Sequence, residues 1–392
     1  MKKILVFLIL LLTIVPVKAF EISSKNVILY NLDNNQIIYQ KSKDERVKIA
    51  SLTKLMTALV VLDKEKDLDK QVVLIDKDFE GLAEANAVTA GFTKGEVVTY
   101  RDLLYGLLLP SGADAAKALA RNTYGNEETF IKKMNEKVKT LKLKNTHFST
   151  TIGLDDSENY SSVYDLSIIF KEDLKNKDFK KIITTKKYIT TDGKVQMKSS
   201  IQKNANKFNI DVAYILGGKT GTTNDAGLCL ATIANKNKVN YMLITTGALY
   251  DKKYPHHIMD AKTIYDYYIN NYGNQKLVSK DKSFKSIKVK YSSKKYSKLY
   301  PNQNVYLYLP NNYNRHNIKY IYKSNKTITP FIKKNTKIGN LKIYYKNKLI
   351  STQSITLQEK IPFSLFEFIK ENYYIPIILI AILYIYLKKK PA

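Results

Sequence analysis

Ser51-Leu52-Thr53-Lys54 sets a hydroxyl and an amine three residues apart. On a helix such residues share a face, with Cβ atoms about 5–6 Å apart. A serine is a weak nucleophile until a base takes its proton. A lysine is that base only if its pKa falls, and burial or a second cation lowers it. Lys219, in ILGGKTGTTNDAGLCLA, is a candidate second cation. Lys219-Thr220-Gly221 leads into an apolar strand pattern, where Gly221 lets a ligand backbone approach closely. Lys219 and the Thr220 hydroxyl suit a carboxylate. Ser111, in LLLPSGADAAKALA, occupies a turn between an apolar run and an Ala-rich segment. Taken singly, these features also read as an amphipathic helix with an exposed lysine and a glycine-rich hairpin entry.

The elements that must position these groups are legible from periodicity. NVILYNLDNNQIIYQ (Asn26 to Gln40) reads as a hairpin around Asp33-Asn34-Asn35. IASLTKLMTALVVLDKE has helical apolar spacing through Leu52, Leu55, Met56, Leu59 and Leu62. Asp102 to Leu109 reads as a short helix and Ala115 to Thr140 as a longer one. Gly227 to Ala248 reads as two strands around a polar turn, and Asp260 to Tyr272 as a closing helix. After Gly273-Asn274 the texture changes to alternating apolar and polar residues, the mark of a small β domain.

The termini and the charge bound the class of protein. Lys2 and Lys3, the apolar Ile4 to Val17, and small residues at 17 and 19 read as a secretory signal peptide cleaved after Ala19. The alternative is an uncleaved anchor. Tyr373 to Leu387 carries no charge and is apolar all round. It is shorter than the roughly 20 residues of a spanning helix, but Lys388, Lys389 and Lys390 would snorkel and stay cytoplasmic. That places the body of the chain outside the cell membrane; a shallow or re-entrant anchor is the alternative. The net charge is +29. Residues 275–360 hold 20 Lys or Arg against Asp281 and Glu359, a net +18 in one segment. Such a field favours anionic lipids or acidic wall polymers, and the export signal disfavours nucleic acid. The single cysteine, Cys229, permits no intrachain disulfide. The four histidines show no metal spacing, so neither metal nor cofactor is expected.

Ser51/Lys54, the Ser111 turn and Lys219-Thr220-Gly221 follow the order of the motif set of class A β-lactamases and penicillin-binding proteins. The chain resembles the serine D-alanyl-D-alanine carboxypeptidases of the low-molecular-mass penicillin-binding proteins. ASLTKLMTALVVL, TYRDLLYGLLLPSGADAAKALA, NTHFSTTIGLDDSENYSSVYDLS and GGKTGTTNDAGLCLA carry the resemblance. It implies an α/β catalytic domain of β-lactamase/transpeptidase-like type, an antiparallel sheet flanked by helices. A small all-β domain and a C-terminal membrane helix follow. The expected divisions are 1–19 (signal peptide), 20–272 (peptidase), 275–358 (basic β domain) and 359–392 (linker and anchor).

The resemblance also implies roles. Ser51 attacks the carbonyl between two terminal D-alanines of a peptidoglycan stem peptide, and Lys54 takes its proton. The N–H groups of Ser51 and Thr222 form the oxyanion hole. Ser111, near Lys219, relays the proton to the departing D-alanine, and Lys219 and Thr220 hold its carboxylate. β-Lactams become covalent inhibitors. One position departs from the pattern: Ala113 stands where the family usually has Asn. Asp114 is adjacent, but neighbouring helix residues do not share a face. The Glu-x-x-Leu-Asn loop of class A β-lactamases is not present between Ser111 and Lys219. A silent wall-binding scaffold and a peptidoglycan endopeptidase stay open as alternatives.

Overall fold

The computed structural model describes residues 20–324 and 327–388. The expected signal peptide lies outside the described residues, as do Lys389 and Lys390. The chain divides into two compact units, Met1–Asn270 and Asn271–Ala392.

The first unit is built on a five-stranded antiparallel sheet. β1 (Asn26–Asn31) and β2 (Gln36–Lys41) form the expected hairpin. A 3-10 turn, Ala50–Leu52, feeds α1 (Thr53–Lys64). The short strands β3 (Gln71–Val73) and β4 (Val97–Thr99) pair with each other. Then come α2 (Tyr100–Leu108), α3 (Ala113–Tyr124), α4 (Glu127–Thr140), α5 (Val163–Asp173) and α6 (Lys177–Thr184). β5 (Lys187–Ile189) pairs with β6 (Gln196–Lys198), and α7 (Ser200–Lys207) follows. β7 (Ile215–Thr223), β8 (Gly227–Lys236) and β9 (Val239–Ala248) complete the sheet in the order β2-β1-β9-β8-β7, and α8 (His256–Asn271) follows. β7 is therefore an edge strand.

Residues Thr53 to Leu62 are all buried, so α1 is an interior helix wrapped by others rather than a surface helix with one apolar stripe. Its core partners include Leu103, Leu107, Leu119, Phe130 and Ile169. The Thr99–Asp102 capping box starts α2 two residues before the expected Asp102. The helix expected over 115–140 is two helices. Gly125, at φ 86°, ends α3, and the Asn126 side chain accepts from the Thr129 N–H to start α4.

The second unit is β-rich. β10 (Tyr272–Val278) pairs with a strand that follows the hairpin of β11 (Lys285–Lys288) and β12 (Tyr296–Leu299). That strand is β13 (Val305–Pro310). β14 (Ile318–Ser324), β15 (Lys337–Tyr345) and β16 (Lys348–Thr356) form an antiparallel sheet. Alternate residues such as Leu341 and Ile343 point into a core with Val289, Leu299, Ile338 and Ile355. The unit ends in α9 (Leu365–Glu371) and α10 (Tyr374–Lys388). α10 covers the apolar stretch expected over Tyr373 to Leu387, and α9 lies in the expected linker at 84° to it. No single described helix is long and apolar enough to cross a membrane, but the pair passes together by length and composition.

Candidate active site

Ser51 sits on the 3-10 turn, one step before α1, so the Ser-x-x-Lys spacing begins on a tight turn rather than inside the α-helix. The turn is held hard. Ala50 adopts a left-handed φ of 46°, a sparsely populated state for a residue with a Cβ. Thr53 Oγ1 donates to the Ala50 carbonyl at 2.9 Å, and Asn159 Nδ2 donates to Thr53 Oγ1 at 3.0 Å. Gly153, at φ 80°, lets the 150–155 loop press on this turn; a Cβ there would lie 2.1 Å from the Ala50 carbonyl oxygen. On the other side Gly221 closes in, its position for a Cβ only 3.0 Å from the Ser51 nitrogen. Any side chain at Gly221 would crowd the serine turn where β7 meets it.

Lys54 Nζ donates to Ser51 Oγ at 3.0 Å and to the Ile152 carbonyl at 2.8 Å. The side chain is 2% exposed. Burial lowers its pKa from 10.5 to about 7, against the opposing charge of Asp114. Part of Lys54 is therefore neutral at pH 7 and within reach of the serine proton.

Ser111 lies in the turn between α2 and α3 at φ 77°, another left-handed residue with a side chain. Lys219 Nζ donates to Ser111 Oγ at 2.6 Å and to the Thr220 carbonyl at 2.6 Å. Lys219 is fully buried, and burial together with repulsion from Lys54 lowers its pKa well below 10.5. Burial is the leading cause at both lysines.

Two cavities open at the serine. The first, about 580 Å³, is lined by Ser51, Ser111, Ser200, Thr220, Gly221 and Thr222 among others. The second, about 450 Å³, is lined by Ser51, Lys54, Ser111, Ala113, Gly153, Asp155 and Thr222 among others. The structure thus gathers all seven residues singled out in the sequence. Lys219 lines neither cavity; its ammonium donates to Ser111 Oγ and to the Thr220 carbonyl. The residue that joins Thr220 at the cavity wall is Ser200, with Oγ 2.7 Å from Thr220 Oγ1. Lys198 and Lys203 add positive charge to the same wall.

Ala113 is 1% exposed, and its N–H donates to the Val88 carbonyl at 2.7 Å. Asp114 does not replace the amide expected there. Its carboxylate accepts from the Ala90 N–H at 2.8 Å and from the Ala115 N–H at 2.9 Å, and it lines neither cavity. Asn86, at φ 47°, lines the second cavity together with Ala113. Sequence reading missed Ser200, Asn86 and Asp155. None belongs to a short motif; each arrives from a distant loop or helix start.

The constellation is one of nucleophilic catalysis: a hydroxyl, an adjacent amine that is partly neutral at pH 7, a second hydroxyl on a buried lysine, and a strand at the sheet edge. Residues 13–249 match the family model described as D-alanyl-D-alanine carboxypeptidase. Residues 272–362 match the model described as penicillin-binding protein 5, C-terminal domain. The chain is 28% identical over 342 residues to D-alanyl-D-alanine carboxypeptidase DacF of Bacillus subtilis, covering 86% of this chain and 85% of that one. It is 36% identical over 225 residues to a D-alanyl-D-alanine carboxypeptidase of Streptomyces sp. (strain K15), covering 53% of this chain and 76% of that one. The crystal structure of the DD-transpeptidase of the same Streptomyces strain superposes with a TM-score of 0.55 at 32% identity, over 63% of this chain and 97% of that one. The fold is also that of penicillin-binding protein 5 from Haemophilus influenzae, with a TM-score of 0.63 at 24% identity over 87% of this chain and 98% of that one. On this evidence of motif, geometry and likeness, the chain belongs to the D-alanyl-D-alanine carboxypeptidase family of serine peptidases.

Proposed function

We propose that this chain removes the terminal D-alanine from peptidoglycan stem pentapeptides through an acyl-enzyme on Ser51. The observation that carries the reading is Lys54 Nζ at 3.0 Å from Ser51 Oγ, with a pKa of about 7. Neutral Lys54 takes the Ser51 proton as Oγ attacks the penultimate carbonyl carbon. The oxyanion is met by the backbone N–H groups of Ser51 and Thr222, a role supported by the close approach of Gly221 to the Ser51 nitrogen. The tetrahedral intermediate collapses with cleavage of the C–N bond. The proton that Lys54 took from Ser51 returns through Ser111, held by Lys219, to the departing amine, which leaves Lys54 neutral again. Thr220 and Ser200 hold the D-alanine carboxylate, and Lys198 and Lys203 draw it in. Water then attacks the ester, releases the shortened peptide and returns the proton to Ser51.

The same chemistry opens a β-lactam ring on Ser51. Asp155 is the one carboxylate lining either cavity among the described residues, and it has no Glu-x-x-Leu-Asn context. The adduct is therefore long-lived. The seven residues Ser51, Lys54, Ser111, Lys219, Thr220, Gly221 and Thr222 form the working site in this reading. We further assign the chain to the extracytoplasmic face of the cell membrane, held by its C-terminal helices. The apolar composition of α10 and the bent pair support that placement. The basic second unit suits anionic lipids or wall polymers.

The test is release of D-alanine from a stem pentapeptide by the full chain in detergent, with Ser51→Ala as control. Release that disappears with Ser51→Ala supports the reading. Undiminished release in Ser51→Ala would refute it. Penicillin labelling of Ser51 without release would point to a cross-link as the substrate, as the name of a Pseudomonas aeruginosa relative, D-alanyl-D-alanine endopeptidase (29% identical over 226 residues), suggests for that protein.

A further inference from the structure

The two cavities share Ser51, Val88, Ser111 and Thr222 and diverge from there. The first continues to Thr220 and Ser200, the carboxylate side in the reading above. The second continues past Lys54 to Thr223, Asn224 and Asp155, so it receives the acyl part of the substrate. The sheet order fixes the direction. β7 is an edge strand whose free side accepts an added strand. A peptide with its carboxylate at Thr220 runs antiparallel to β7, and its earlier residues pass Thr222 toward Asn224. Successive residues of an extended chain advance about 3.3 Å each. The residue just before the penultimate D-alanine then lies near the end of β7, facing the second cavity.

Asp155 waits there. Its Oδ2 accepts from the Asp225 N–H at 3.3 Å, which ties the carboxylate to the turn that follows β7. It is exposed, it lines the cavity, and no lysine or arginine pairs with it among the described residues. Lys48, on a neighbouring stretch, gives its ammonium to the Asp156 carbonyl instead. At the opposite end of the groove Lys198 and Lys203 line the first cavity, and they too lack an ion-pair partner among the described residues. The groove is thus negative on its acyl side and positive on its leaving side.

We propose that Asp155 reads the free side-chain amine of a diamino acid placed immediately before the penultimate D-alanine. This rests on the carboxypeptidase reading and refines it: the preferred substrate is a stem whose side-chain amine is not acylated, that is, one not cross-linked through that amine. An ion pair at a solvated rim is worth a few-fold in rate and is weakened by salt.

The experiment uses the full chain in detergent and two peptides ending in L-lysyl-D-alanyl-D-alanine. One has a free ε-amine, the other an acetylated one. The expected result is a kcat/KM about threefold to fivefold higher for the free amine at low salt, shrinking at high salt. Asp155→Asn keeps an acceptor for the Asp225 N–H and should turn over the two peptides alike. Asp225→Asn, whose side chain lines neither cavity, should keep the preference. Equal rates in the unmodified protein, or a preference that survives Asp155→Asn, overturns the inference and leaves the carboxypeptidase reading standing. Release from neither peptide overturns that reading, and the inference falls with it.

Discussion

Acylation of Ser51 should titrate with Lys54. Bringing a lysine from 10.5 to about 7 corresponds to roughly 5 kcal/mol of lost preference for the charged form. Burial supplies it: Lys54 is 2% exposed, and its hydrogen bonds go to Ser51 Oγ and the Ile152 carbonyl rather than to an anion. With a pKa of about 7, roughly a tenth of the lysine is neutral at pH 6 and roughly nine-tenths at pH 8. The second-order rate of acylation by a fluorescent penicillin should therefore rise about tenfold between pH 6 and pH 8 and then level. An unburied lysine would keep the rate climbing about tenfold per pH unit well beyond pH 9. Asp114 raises the Lys54 pKa, so Asp114→Asn should move the midpoint to lower pH. That substitution keeps an acceptor for the Ala90 N–H. The assay is stopped-flow fluorescence across pH 5 to 9 at constant ionic strength. A flat profile, or one still rising steeply at pH 9, would refute Lys54 as the base.

Three further outcomes follow from the same geometry. Ser200→Ala removes the hydroxyl 2.7 Å from Thr220 Oγ1, and kcat/KM for a peptide with a free terminal carboxylate should fall roughly tenfold; amidating that carboxylate should erase the difference between the two proteins. Gly153→Ala puts a Cβ 2.1 Å from the Ala50 carbonyl oxygen, so penicillin labelling of Ser51 should be lost while circular dichroism shows a retained fold. His257 is 3% exposed with both ring nitrogens unpartnered among the described residues, and burial lowers its pKa from 6.5 to about 4. The unfolded chain binds the proton more tightly, so stability is full above pH 6.5 and is lost as pH falls toward 4, by roughly 3 kcal/mol. His257→Met should flatten urea midpoints over that window, and an unchanged slope would rule out His257 as the cause.

Much of the site was legible because its residues stand in short runs. Ser51 and Lys54 are bound by one turn of backbone, and Lys219, Thr220 and Gly221 by one strand, so their spacing survives any packing of the rest. Caps were less legible. The Thr99–Asp102 capping box and the Gly125-Asn126 break decide where α2 begins and where α3 yields to α4, and apolar periodicity runs straight through both. The apolar stretch expected over Tyr373 to Leu387 is one helix, α10, while the helix α9 before it and the 84° bend between them leave no mark in composition, which records apolarity but not the direction of an axis.

The sequence by itself determined the chemistry on offer: a hydroxyl and an amine at helical spacing, a lysine beside a glycine on a strand, and a serine in a turn. It also determined the change from helical to alternating periodicity near residue 273, because periodicity is a local property of the chain. The tertiary structure decided which of these groups meets a ligand. Burial depth, which depends on every surrounding element, carried Lys54 to a pKa of about 7 and enclosed Lys219 behind Ser111. Distant segments supplied what no motif contains: the Ile152 carbonyl, the Ser200 hydroxyl and the Asp155 carboxylate. Such contacts join residues up to 108 positions apart, as between Ser111 and Lys219, and only the folded chain brings them within hydrogen-bond reach.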